Sequence, residues 1–437
     1  MFKTVLPLSS IIGLRFLGLF LVLPVISIYA LDLKGSDTLL VGIVIGGYAL
    51  TQMIFQVPFG IMSDKLGRKG TIITGLLLFC IGSVVCALSP DIFSLMLGRF
   101  LQGAGAIGAV VTATISDVVK ENERGKAMSL MGGTIAISFA ISMMAGPIIS
   151  AYFGIASLFW ITAVAALIPI YVTIKWIPDP PKIAHTYNTK FKVSRILKDV
   201  SILKMMLNNF LQKGLMTFAF MIIPITLTKT YHWEFSELWK VYMPAMLGGL
   251  IVMGPAAMIA EKYGRFREVL VLGIICFGVA YFFMGKTATA GFFVLGVAIF
   301  FIGANMHEPI MQSLTSKFAR VYERGAVLGV FNSCGYLGTF IGGILGGAFL
   351  QKINLSQIST AILVIVVIWA ILIATMPNPA KKRAAYLKLS EISRDKLSSL
   401  ASNDAIDEWY VNETEAIAVV KYSSNKIKLG ELKKLLV

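Results

Sequence analysis

Charge is what this chain has least of: 14% of its 437 residues are Asp, Glu, Lys or Arg, against about 25% in soluble domains. Histidine is nearly missing as well, with His185, His232 and His307 in three separate segments. No HExxH, GxSxG or Walker pattern occurs, so metalloprotease, hydrolase and ATP-driven chemistry lack their residues. If the chain does work, an ion gradient must drive it. The four cysteines, Cys80, Cys86, Cys276 and Cys334, fall inside apolar stretches and form no CxxC or disulfide framework; they read as small core residues. What is present is hydrophobicity: 57% of residues, with a mean hydropathy of +0.79. That is the composition of a polytopic membrane protein with one large helical body. The formal charge of +16 could suggest a nucleic-acid partner. The cations instead gather in short loops between apolar runs, so no nucleic acid is expected.

Apolar runs fall at about 5–31, 38–62, 71–89, 92–116, 127–151, 156–177, 202–228, 239–260, 268–285, 288–314, 326–350 and 355–376. A bilayer core takes about 20 apolar residues per helix, so twelve spans are expected. The first run contains Arg15 and Pro24 and is longer than a signal-peptide core, so it is kept as a helix. Loops after even-numbered spans carry the cations: Lys65/Arg68/Lys69, Lys120/Arg124/Lys126, Lys262/Arg265/Arg267, Lys317/Arg320/Arg324 and Lys381/Lys382/Arg383. The positive-inside rule puts both termini in the cytoplasm. Pro178, Pro180, Pro181 and a basic run mark 178–200 as a linker between halves at 1–177 and 201–378. The halves repeat at a nearly fixed offset. Pro24 returns as Pro224, Ser116 as Ser316, and Glu123-Arg124-Gly125 as Glu323-Arg324-Gly325. Such repeats are how many transporters are built, with substrate bound between the halves.

The loop after span 2 reads Gly60-Ile61-Met62-Ser63-Asp64-Lys65-Leu66-Gly67-Arg68-Lys69. Gly67 suits a turn that needs φ > 0. Asp64 is expected near the start of the next helix, where a negative charge faces unpaired N–H groups. A basic inside loop explains the cations but not the whole order Gly-x-x-x-Asp-Lys-x-Gly-Arg-Lys. That order resembles the loop 2–3 signature of the major facilitator superfamily. Span 4 reads Leu97-Gly98-Arg99-Phe100-Leu101-Gln102-Gly103-Ala104-Gly105 and is similar to the superfamily's second signature, whose Arg is tied to proton coupling. Gly133, Gly146 and Pro147 in span 5 resemble the antiporter motif of drug:H⁺ exporters, although Ser142, Ser150 and Ala151 stand where the family has Gly.

Glu308 is the only carboxylate deep in any span. Low dielectric favours the neutral form of a carboxylate, so such a group can exchange a proton near physiological pH. A permanently protonated or paired structural Glu is the plain alternative. His307 beside it cannot share its helix face and reads more readily as packing. Arg15 is expected to face the cavity; Gln212 and Lys213 in span 7, with Asn305 and Asn332, are weaker candidates.

After Pro377 and Pro379 the character changes. Strands are expected at Ala385–Leu389, Ile406–Val411 and Ala416–Tyr422, with helices at Arg394–Ser402 and 428–437. This is a ferredoxin-like order lacking its last strand. The tail, Leu14-Arg15-x-x-Gly18-x-Phe20-x-Val22-Leu23-Pro24-Val25 and Trp239-Lys240-Val241-Tyr242 together resemble the YajR-type members of the superfamily. The resemblance implies an all-α body of two six-helix bundles plus a small α+β cytoplasmic domain at 381–437. It also implies that Asp64, Arg68 and Asp117, with Gly60, Gly67 and Lys69, form a charge relay latching the halves. Arg99 and Glu308 then belong to a proton path. The expected protein is a monomeric proton-coupled transporter of the bacterial inner membrane, exporting hydrophobic or amphipathic molecules and needing no cofactor. Import, or sensing through the tail, are the alternatives.

Overall fold

Backbone amides inside a bilayer have no water to bond, so apolar runs of this length close their hydrogen bonds as helices. The structure, a computed structural model, describes residues 2–120, 123–177, 198–286, 289–319, 324–350, 354–377, 382–393, 396–397, 400, 403, 405–413, 415–423 and 426–436. Span 1 is Phe2–Leu21 and Ile26–Leu31; span 2, Thr38–Leu66; span 3, Arg68–Ala87; span 4, Ile92–Ala104 and Gly108–Val118. Span 5 is Arg124–Phe153 and span 6 is Ile155–Ala165 with Leu167–Trp176. The second half holds span 7, Val200–Ile225; span 8, Trp239–Tyr263; span 9, Phe266–Lys286; span 10, Ala290–Phe318; span 11, Arg324–Leu350; and span 12, Leu355–Ala374. Eleven of these are long and apolar enough to cross a membrane by themselves. The first run is not one helix, because Pro24 lacks an N–H and the chain turns through 22–25 on shorter bonds such as Leu23 N to Phe20 O, 3.0 Å. Its repeat Pro224 precedes another irregularity, a π-helical turn at Thr226–Thr230.

The loops after even-numbered spans lie at one end of the bundle, here the basic end. The halves meet mainly where span 2 packs on span 11 and span 5 on span 8. At the end away from the basic loops this seam is made by glycine. A Cβ added to Gly42 would lie 2.1 Å from Gly343 O, and one on Gly347 would lie 2.2 Å from Thr38 O. No side chain fits between backbones that close. Beside the seam, Phe139 of span 5 packs on Phe20 (ring centroids 4.9 Å apart), Phe220 (6.1 Å) and Phe301 (6.4 Å), bridging both halves. Towards the basic end the packing stops. Cβ atoms added to Gly60, Gly132, Gly133 or Gly329 would meet nothing within 4 Å. The halves are in backbone contact at one end; at the other, the open space beside these glycines and the exposed Glu308 and Lys213 side chains further in mark a cleft.

Most of the expected 178–200 linker lies outside the described residues. Where the chain reappears, Asp199 caps span 7, accepting from Ser201 N at 2.9 Å. The tail forms strands β1 Lys382–Lys388, β2 Ile406–Asn412 and β3 Ile417–Ser423 in the antiparallel order β1-β3-β2, followed by helix Leu429–Leu436. The expected helix Arg394–Ser402 falls mostly outside the described residues. Alternation along β3 turns Ala418, Val420 and Tyr422 into a core shared with Leu387, Leu432 and Leu436. Val419 and Lys421 on the other face are buried too. Lys421 Nζ donates to Ala319 O at 2.8 Å, at the end of span 10, so the sheet docks on the helical body there.

Candidate functional site

At the basic end Gly67 takes φ 97° and turns span 2 into span 3. Arg68, first residue of span 3, reaches back to Asp64 Oδ1 and Ser63 Oγ, both at 2.6 Å from Nη1, and across to Asp117 Oδ2 at 2.9 Å from Nε. One guanidinium thereby ties the ends of spans 2, 3 and 4. Asp64 sits in the last turn of span 2, not at the start of span 3 as expected, because the helix runs on to Leu66 before the glycine breaks it. Its side chain is 68% exposed and Asp117's only 22%, so Asp117 is the better sheltered partner. Lys69 follows in the first turn of span 3, and Gly60 faces the cleft. The second half carries a charge-swapped counterpart. Lys317, at the repeat position of Asp117, bonds Glu261 at 2.5 Å, Ser313 donates to the same carboxylate, and the Lys317 ammonium lies 4.2 Å from the Phe266 ring centre.

Inside the first half two arginines are fully buried. Arg99 Nη1 donates to Gln102 Oε1 at 2.6 Å, Nε to Val44 O at 3.3 Å, and the guanidinium stacks 4.7 Å from the Tyr48 ring centre. Gln102 passes its amide to Ser83 Oγ at 2.9 Å. Arg15 does not line the cleft as expected. It points into the first half, between the rings of Phe16 and Phe79, and donates to Gln52 Oε1 at 3.3 Å. It reaches the other half through Gln52, whose amide donates to Tyr336 Oη of span 11 at 2.7 Å. In span 5, Gly146 brings its backbone onto Leu21 O beside the Pro24 turn, and Ser142 Oγ donates to Leu17 O at 2.9 Å. Ser142 thus adds a hydrogen bond where the motif has Gly. Pro147 continues inside the same helix, while Gly133 faces the open cleft.

Glu308 is not alone. Lys213 Nζ lies 2.8 Å from its Oε2, and Gln212 Nε2 lies 3.5 Å away. The pair sits deep between spans 7 and 10 yet stays accessible, with side chains 43% (Glu308) and 29% (Lys213) exposed. His307 turns away from this site. It is fully buried, its Nε2 lies 2.8 Å from Leu270 O, and Phe277 and Trp369 flank the ring at 5.8 and 5.7 Å. It packs spans 9, 10 and 12 together. Spacing showed that Lys213 was charged and mid-span, but not which carboxylate it meets. The Gln52–Tyr336 bridge had no charge to flag it.

An accessible charged pair at mid-depth in the second of two repeated helical bundles, whose seam with the first is closed at one end, is the arrangement of a transporter built from repeats. The profile of the Major Facilitator Superfamily matches residues 8–343 and 205–406, and the chain belongs to that superfamily. It is a membrane transporter and not an enzyme. The inner membrane transport protein YajR of Escherichia coli (strain K12) is 34% identical over 95% of this chain and 93% of its own length. The class B tetracycline resistance protein of Escherichia coli is 25% identical over 74% of this chain and 84% of its own. Among solved structures, a D-xylose-proton symporter superposes with a TM-score of 0.70 at 14% identity, over 86% of this chain and 98% of that one, a likeness of fold.

Proposed function

We propose that the chain is a proton-coupled secondary transporter of hydrophobic or amphipathic small molecules in a bacterial inner membrane, with Glu308 as the group that takes and gives up the proton. One observation carries this: the carboxylate deepest in the spans faces the cleft and is solvent-accessible. Protons and substrate can therefore reach the same place from the same side. The positive-inside pattern makes the basic end cytoplasmic, so the closed seam faces the periplasm and the cleft faces the cytosol. The Arg68 cluster and its Glu261–Lys317 counterpart stand where the halves must meet when the cleft closes, which supports a switching role. Arg99 and Gln102 brace the first half beside the path.

Export in exchange for protons is the first reading of direction. The small-residue spacing of span 5 and the likeness to the class B tetracycline resistance protein support it. Proton-coupled uptake is favoured by one specific observation, the Lys213–Glu308 pair. When Glu308 is deprotonated and the site is empty, Lys213 neutralises it, so the empty carrier can reorient without burying a net charge there. A cotransporter needs that step and a strict exchanger must forbid it. Purified protein in proteoliposomes decides between them. Under an imposed pH gradient, substrate flux abolished by a protonophore supports coupling, and its sign gives the direction. Ligand binding without any flux would replace both readings with a sensor.

A further inference from the structure

Four charged side chains lie deep in the described spans: Arg15, Arg99, Lys213 and Glu308. That is three cations against one carboxylate. Arg15 and Arg99 are sealed inside the first half, where Arg15 Nη2 and Arg99 Nε and Nη1 donate to amide and carbonyl oxygens and aromatic rings flank both guanidiniums, while Arg15 Nε and Nη1 and Arg99 Nη2 find no hydrogen-bond partner among the described residues. Lys213 differs, because it faces the cleft and its ammonium meets Glu308 with one of three donors. Above the pair, Phe139, Phe220, Phe301 and Tyr242 close the cleft with apolar rings.

We infer that this site takes amphipathic organic anions, carboxylates or sulfonates with an apolar body, through Lys213, and that anion and proton bind together. The ionised Glu308 carboxylate already occupies Lys213, and an incoming anion would have to share it at close range with a like charge. Protonating Glu308 removes that competitor and frees the ammonium. By linkage the bound anion in turn strengthens proton binding. An organic cation meets the opposite situation. It must displace Lys213 from Glu308, and ammonium beside ammonium is repulsive. A neutral molecule gains nothing from Lys213. The other groups facing the pair are Gln212 from span 7 and Tyr336 from span 11, while His307 on the same helix faces away. None supplies a second base. The inference rests on Glu308 as the proton-binding group, and for anions it selects uptake: cargo that binds with a proton moves with it down an inward proton gradient.

The test uses the full chain in nanodiscs of zwitterionic lipid, so that no anionic headgroup competes, and three probes of one scaffold: naphthylacetate, naphthylethanol and a naphthylmethyl trimethylammonium salt. Naphthylacetate should bind most tightly, gaining up to about tenfold per pH unit between about pH 8 and pH 6, the limit for one linked proton. Lys213→Gln should reduce its affinity to that of the alcohol, and Lys213→Arg should restore it. Glu308→Gln, fixed in the neutral form, should bind naphthylacetate at about pH 8 as tightly as wild type does when acidified. A trimethylammonium probe that outcompetes the carboxylate overturns the inference, as does naphthylacetate affinity indifferent to pH or to Lys213→Gln. So does a failure of all three probes to bind. If Glu308→Gln keeps full proton-driven transport while the anion still depends on Lys213, the proton assignment fails and the anion site stands.

Discussion

Gly42→Ala should tilt the whole conformational equilibrium, and the size of the tilt follows from the seam. The new methyl would meet Gly343 O at 2.1 Å, Gly343 C at 2.9 Å and Gly347 N at 3.2 Å. All three are backbone atoms of span 11, with no flexible side chain to swing aside. Regaining ordinary contact parts the two helices by about 1 Å. Overpacking of this kind costs about 1–3 kcal/mol. The penalty applies only while the seam is closed, so the state open at that end becomes favoured by the same amount. About 2 kcal/mol corresponds to about a 30-fold change in the ratio of states. Spin labels at Gly132→Cys and Gly329→Cys, two positions facing open space at the basic end, report that ratio once the native cysteines are replaced. Double electron–electron resonance should show a shorter distance gaining population in Gly42→Ala, as the cleft closes. An unchanged distance distribution with a lower Tm would refute the argument, because the glycines would then only pack and not gate.

Asp117→Asn should slow turnover more than Asp64→Asn, with little change in substrate binding by either. The exposed Asp64–Arg68 pair is worth about 0–1 kcal/mol, and the Asp117 partner is better shielded; lost binding with normal access kinetics would place these residues in the substrate site instead. Asp91 caps the start of span 4, where the Ser94 N–H holds its carboxyl below the usual range. Its capping contribution is therefore complete above about pH 4 and lost as pH falls through the lowered value. The Tm difference between wild type and Asp91→Ala should shrink only in acid, and a constant difference would contradict this. Deleting 381–437 should leave a folded, inserted transporter with altered rate or pH response, and Lys421→Met should reproduce part of that change by releasing Ala319. A truncated chain that fails to insert would make the tail structural.

The helices were legible because bilayer thickness fixes the length of an apolar run, and the tail's strands because turn residues punctuate them. Partners were less legible. Pattern places Glu308 on a span but cannot say that Lys213, on a helix from the other end of the same half, comes within 2.8 Å. An intramembrane cation normally seeks water or a partner, which points Arg15 to the cleft; Phe16, Phe79 and Gln52 supply that partner inside the half instead. Asp64 falls in span 2 rather than at the start of span 3 because the helix outlasts its apolar stretch, and polar residues at a membrane surface do not reveal where winding stops. Lys317 lies one residue past the Ser116–Ser316 match, at the repeat position of Asp117, but the reversal of charge hides the correspondence.

The most direct measurement is transport by Glu308→Gln under an imposed pH gradient, in proteoliposomes whose protein content and fold match wild type. Glutamine keeps the shape and hydrogen-bonding reach of the protonated acid but can neither bind nor release the proton. Gradient-driven flux should disappear. Undiminished proton-driven flux would contradict the Glu308 assignment and move the coupling site elsewhere.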